Sequence, residues 1–75
     1  MREKLYQIIR NVLNNPELDI IESMTAADIA GWDSFNHMIL IMEIEEEFSI
    51  SFTTEEIGKM AHIGRLIEII QTKLP

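Results

Sequence analysis

The sequence predicts an all-α fold: a small bundle of three main helices plus one short helix, with a long loop between helices one and two. Three observations predict it. Apolar residues recur with helical spacing near both ends of the chain, helix-starting residues stand at Asp33-Ser34 and at Thr53, and no period holds for long from Pro16 to Asp33.

In helix one, Leu5, Ile8, Ile9, Val12 and Leu13 fall at i, i+3, i+4, i+7 and i+8, the pattern of one buried face. Asn14-Asn15-Pro16 ends it, because the residue before a proline is disfavoured in helical geometry. The following loop scatters Leu18, Ile20, Ile21, Met24 and Ile29 among polar residues, with a helical turn that Thr25 can start. Loops this long inside a compact domain are more often functional than idle, and this one delivers Gly31-Trp32-Asp33-Ser34. Helix two starts at Asp33 or Ser34, both good capping types, and runs to about Phe48. Ser49 to Phe52 is an extended link. Thr53 with Glu56 forms a capping box that starts a short helix through Met60, weakened by Gly58 by up to ~1 kcal/mol relative to Ala. The last helix sets Ile63, Leu66, Ile67, Ile70 and Leu74 on one stripe, and Pro75 closes the chain.

At 75 residues the chain is expected to form a single domain, 1–75, that buries only about 60% of its unfolded surface. It has no Cys, so any sulfur chemistry must come from an added group. An apolar fraction of 47% suits a packed domain and is too high for a disordered chain. The longest apolar run, Met38 to Met42, falls far short of a membrane span, and the first residues lead into no signal-peptide core. A soluble, cytoplasmic protein is expected, with a monomer as the default. The net charge of −7, concentrated at Glu43 to Glu47 and Glu55-Glu56, repels phosphate backbones and anionic membranes. Partners should be basic proteins rather than nucleic acid or lipid.

Helix two carries two apolar faces. At about 100° per residue, Leu40, Ile41, Ile44 and Phe48 gather on one side and Phe35, Met38, Ile39 and Met42 on the other. One face serves the core. Unless the long loop folds over it, the second is an apolar docking patch rimmed by Glu43, Glu45 and Glu46, to which methionines bring adaptable contacts. Ser34 sits beside this patch. A serine at a helix start is commonly a cap, but Asp33 can take that role, which leaves the Ser34 hydroxyl free at the positive end of the helix. Such a place suits a phosphate ester.

Asp33-Ser34 at the head of a helix ending in Glu-Glu-Glu-Phe, after a long loop and in an acidic chain of this length, resembles the acyl carrier protein family over the whole chain. The resemblance implies an acyl-carrier-like bundle. It implies that 4′-phosphopantetheine, taken from coenzyme A by a phosphopantetheinyl transferase, is attached at Ser34, and that the arm's thiol carries acyl groups as thioesters. Asp33 would then serve transferase recognition and help orient its metal ion. Phe35, Met38, Ile39, Met42, Glu45 and Glu46 would meet partners: acyl- or aminoacyl-loading ligases and acyl-transferring or condensing enzymes. Such a protein is a carrier and not itself an enzyme. Phe35 replaces the family's usual Leu, and Asn36 and Ile39 stand where fatty-acid carriers usually have acids. These departures make the rim near Ser34 less charged and more apolar than the fatty-acid pattern, and Trp32 before Asp33 resembles free-standing carriers of specialised pathways. An aminoacyl, peptidyl or D-alanyl cargo is an alternative, as is an unmodified helical interaction module in which Ser34 only caps.

Other chemistries fit less well. Ser34 and His37 lie three residues apart, but no acid is placed to orient the histidine, and neither a nucleophile elbow nor a glycine-rich oxyanion loop is present. His37 reads as a partly buried structural residue and His62 as a surface or cap residue. Glu43, Glu46 and Glu47 lack the Glu-x-x-His partner that a metal site between helices would need.

Overall fold

The computed structural model describes residues 1–74, and Pro75 lies outside the described residues. Four α-helices follow in order: α1 over Arg2–Val12, α2 over Ser34–Phe48, α3 over Thr54–Gly58 and α4 over Ile63–Lys73. A single 3₁₀ turn, Ala26–Asp28, interrupts the connection from α1 to α2. It begins where Thr25 was expected to start one, with the Thr25 N–H donating to Asp28 Oδ2 at 2.9 Å.

The core is built from both end helices and one side of α2. Leu5 and Ile9 of α1 meet Leu40 and Ile44 of α2 and Ile63, Leu66, Ile67 and Ile70 of α4. Ile20 and Ile29 of the long loop join the same cluster, so the loop is ordered because it is anchored in the core at two places. Burying a side chain of this size contributes roughly 1.5–3 kcal/mol before conformational entropy is set against it. Val12, Leu13 and Phe48, expected on buried faces, are only partly buried and pack at the edge. Ile69, which the expected stripe on α4 omits, is buried.

The loop also fixes the start of α4. The first backbone N–H groups of a helix have no partner within it, and here loop carbonyls receive two of them. Ile63 N donates to Met24 O at 2.9 Å and Gly64 N to Glu22 O at 2.8 Å. His62 Nδ1 accepts a third, from Arg65 N at 3.1 Å. A Cβ on Gly64 would lie 3.1 Å from that imidazole nitrogen and 3.4 Å from Glu22 O, so glycine permits this close approach.

The short helix α3 ends at Gly58 and does not reach Met60. Lys59 N turns back to Glu56 O at 3.1 Å, and the poor helical propensity of Gly58 leaves nothing to carry the helix past that turn. Met60 instead packs against the core. The expected capping box is present, with Glu56 N donating to Thr53 Oγ1 and Thr53 N to Glu56 Oε1. The Lys73 ammonium, 2.8 Å from Glu56 Oε1, together with the Thr53 N–H, holds the Glu56 carboxyl below its ordinary value. Lys73 also lies 5.9 Å from the centre of the Phe52 ring, tying the end of α4 to the link before α3.

Candidate functional site

The corner where the loop enters α2 is shaped by one glycine. Gly31 has φ 88°, a left-handed conformation in which L side chains are strained, and it turns the chain so that Asp33 can enter the helix. Asp33 is extended, and its Oδ1 accepts from Asn36 N at 2.8 Å, a side-chain cap. The Asn36 amide returns across the same turn and donates to Gly31 O at 2.7 Å. Ser34 is therefore the first residue of α2, exposed, and relieved of capping by its neighbour.

Beside Ser34 runs an open groove of about 530 Å³, walled by Ala26, Trp32, His37, Met38, Ile57 and Gly58. It lies between the 3₁₀ turn, α2 and α3. Trp32 is half-buried, and its Nε1–H donates to His37 Nδ1 at 3.0 Å, satisfying an indole N–H that burial would otherwise penalise. Nothing in the spacing of Trp32 and His37 marks this bond in advance. The usable signal is that a half-buried indole needs an acceptor, and His37 is within a turn and a half of it.

Phe35, Met38 and Met42 stand on the outer side of α2 at 74%, 47% and 64% exposure. The loop does not cover them. Glu46 is exposed beside them, and so is Glu43. Two residues expected with this patch are placed elsewhere. Ile39 is half-buried and lines a depression between α1 and α2 with Ile8, Asn11, Val12 and Glu43, because its angle on the helix brings it to the flank of α1. Glu45 does not stand free in the rim. Its Oε2 accepts from Phe52 N at 2.8 Å, since Ser49, in the left-handed conformation at φ 54°, folds the link back along α2 and leaves that N–H in need of a partner. Glu47 lies 3.8 Å from Lys4, an exposed pair of little energetic weight.

The fold and this corner define a small all-helical protein that holds one serine hydroxyl outward at the head of its longest helix. No family model matches the chain. Over 73 residues it is 33% identical to the acyl carrier proteins of Buchnera aphidicola subsp. Acyrthosiphon pisum, strains 5A and Tuc7, across 97% of this chain and 91% of each relative. It is also similar to the solution NMR structure of the holo acyl carrier protein from Geobacter metallireducens, with a TM-score of 0.88 and 31% identity over 95% of this chain and 82% of that one. The chain belongs to the acyl carrier protein family, whose members are carriers rather than catalysts.

Proposed function

We propose that this chain acts as a single carrier domain in the cytoplasm, modified at Ser34 with 4′-phosphopantetheine and presenting acyl or aminoacyl thioesters to enzymes of a specialised pathway. The observation that carries the reading is the division of labour at the helix head. Asp33 caps α2, and the neighbouring Ser34 hydroxyl is exposed and uncommitted. The corner fits the group: a phosphodiester on Ser34 would sit at the positive end of a long helix, where backbone N–H groups favour an anion, and the groove alongside offers mostly apolar walls to an arm.

In the modification step the Ser34 oxygen attacks the β-phosphorus of coenzyme A. A new P–O bond forms, the pyrophosphate P–O bond breaks, and adenosine 3′,5′-bisphosphate leaves with the bonding electrons. The hydroxyl proton passes to a base of the phosphopantetheinyl transferase. Asp33 Oδ1 is engaged by Asn36, so Oδ2 is the oxygen available to that enzyme's magnesium site. Once attached, the group supplies the thiol that this cysteine-free chain lacks. Phe35, Met38 and Met42 form the docking patch, with Glu46 and the net charge of −7 drawing basic loading, acyl-transferring or condensing enzymes toward it. Such contacts weaken with salt.

The test is the intact mass of the wild type and of Ser34→Ala after incubation with coenzyme A, magnesium and a broad-specificity transferase. The wild type should gain one phosphopantetheinyl group and the variant none. A folded wild type that several transferases leave unmodified would make the protein an interaction module that uses the same patch. Docking is tested separately: Met38→Glu should accept the arm yet pass cargo to a downstream enzyme poorly, and unimpaired transfer would remove the patch from the reading.

A further inference from the structure

The imidazole of His37 has a fixed tautomer. Its Nδ1 accepts from the Trp32 indole N–H at 3.0 Å, and in a neutral imidazole the nitrogen that accepts cannot carry the proton. The proton is therefore on Nε2. Among the groove's lining residues, Trp32 has spent its N–H on this bond, the Ser34 hydroxyl is the attachment point, the Asp33 carboxylate only accepts, and Ala26, Met38, Ile57 and Gly58 bring no side-chain donor. His37 Nε2–H is thus the side-chain N–H donor left to the groove. Ser34 and His37 are three residues apart on one helix, about 5–6 Å between Cβ atoms. That distance matches the part of a phosphopantetheine arm just beyond its phosphate, which carries a hydroxyl and then an amide carbonyl.

We propose that Trp32 holds His37 as the Nε2–H tautomer and that this N–H donates to an oxygen at the near end of the arm on Ser34, laying the arm along the groove rather than into solvent. The inference rests on the attachment proposed above. His37 is then a residue that binds the arm, and Trp32 a positioning residue that acts through it. Because the contact is made close to the phosphate, it is independent of the cargo at the far end. Gly58 provides a way to remove the contact without substituting either residue: it lines the groove, and a Cβ there meets nothing within 4 Å, so a side chain at this position starts in open space.

Protein labelled with ¹⁵N-histidine is compared before and after modification by NMR, with attachment verified in each sample by intact mass. Before modification His37 should show an acceptor-type Nδ1 and a protonated Nε2, and Trp32→Phe should abolish that preference. After modification the His37 Nε2–H signal should move. The exposed cap residue His62, whose Nδ1 also accepts an N–H, should not move and serves as the internal reference. In Gly58→Leu the arm should still attach, while the His37 signal stays at its unmodified position. A His37 carrying its proton on Nδ1 overturns the inference. So does a His37 signal that ignores an arm shown by mass to be present, and in that case the carrier reading stands. If no arm attaches at all, the carrier reading fails and takes this inference with it.

Discussion

Along α2, Leu40, Ile41 and Ile44 are exposed by 2% or less, whereas Phe35, Met38 and Met42 on the same helix are exposed by 47% to 74%. Both sets are large and apolar. The difference comes from what lies opposite: α1, α4 and the anchored loop close over one side, and no element of the described fold closes over the other. Apolar content makes a face available for burial, and the rest of the fold selects which face is used. A side left open by its own chain is a surface that another protein can cover.

That contrast can be broken most sharply from the inside. Ile44→Ala should lower unfolding stability by about 2–5 kcal/mol in urea titrations, since it leaves a cavity in a packed core. At the helix head, which supports both faces, Asp33→Ala should cost about 1 kcal/mol by the same measurement, through loss of the Asn36 cap. The acids divide as the apolar residues do, some bonded into the fold and some left at the surface. Glu56 is bonded in. Its carboxyl is held below the ordinary value by Lys73 and the Thr53 N–H, so its stabilisation is present above the unfolded-state value and lost as pH falls through the folded one. Glu56→Gln should therefore be less stable than the wild type at neutral pH, and the gap should close below the ordinary glutamate value of about 4.3. A gap that persists in acid would assign the effect to shape rather than charge. The smallest change is expected on the outer face: Met42→Ala should alter stability by no more than about 0.5 kcal/mol. A loss comparable to that of Ile44→Ala would erase the distinction between the two sides.

Much of this is legible in the sequence. The starts of α2, α3 and α4 are written as local chemistry, in Asp33, in the Thr53–Glu56 box and in His62, because a cap is decided within four residues of chain. The pairing of a capping Asp33 with an exposed Ser34 followed from the same logic. What escaped depends on contacts distant in sequence or on a backbone reversal. A helical wheel assigns Ile39 an angle but does not say that α1 occupies it. The role of Glu45 was hidden because only the fold-back at Ser49 brings Phe52 N within its reach. Ile20 and Ile29 follow no period, since a loop can bury a side chain wherever its path touches the core. The Trp32–His37 bond likewise needs the turn at Gly31 to face the two rings toward each other.

The two carbonyls that receive the start of α4 also fasten the long loop. Lifting the segment at Glu22 and Met24 requires breaking both hydrogen bonds and unseating Ile20 and Ile29, so that part opens only when the core itself loosens. The stretch from Gly31 to Asp33 is held by other means: Trp32 packs against the core and bonds His37, the Asn36 amide holds Gly31 O, and Asp33 caps the helix it enters. Ser34 is thereby mounted on a corner stapled to the helix it begins, so the serine is a fixed pivot rather than the tip of a swinging loop.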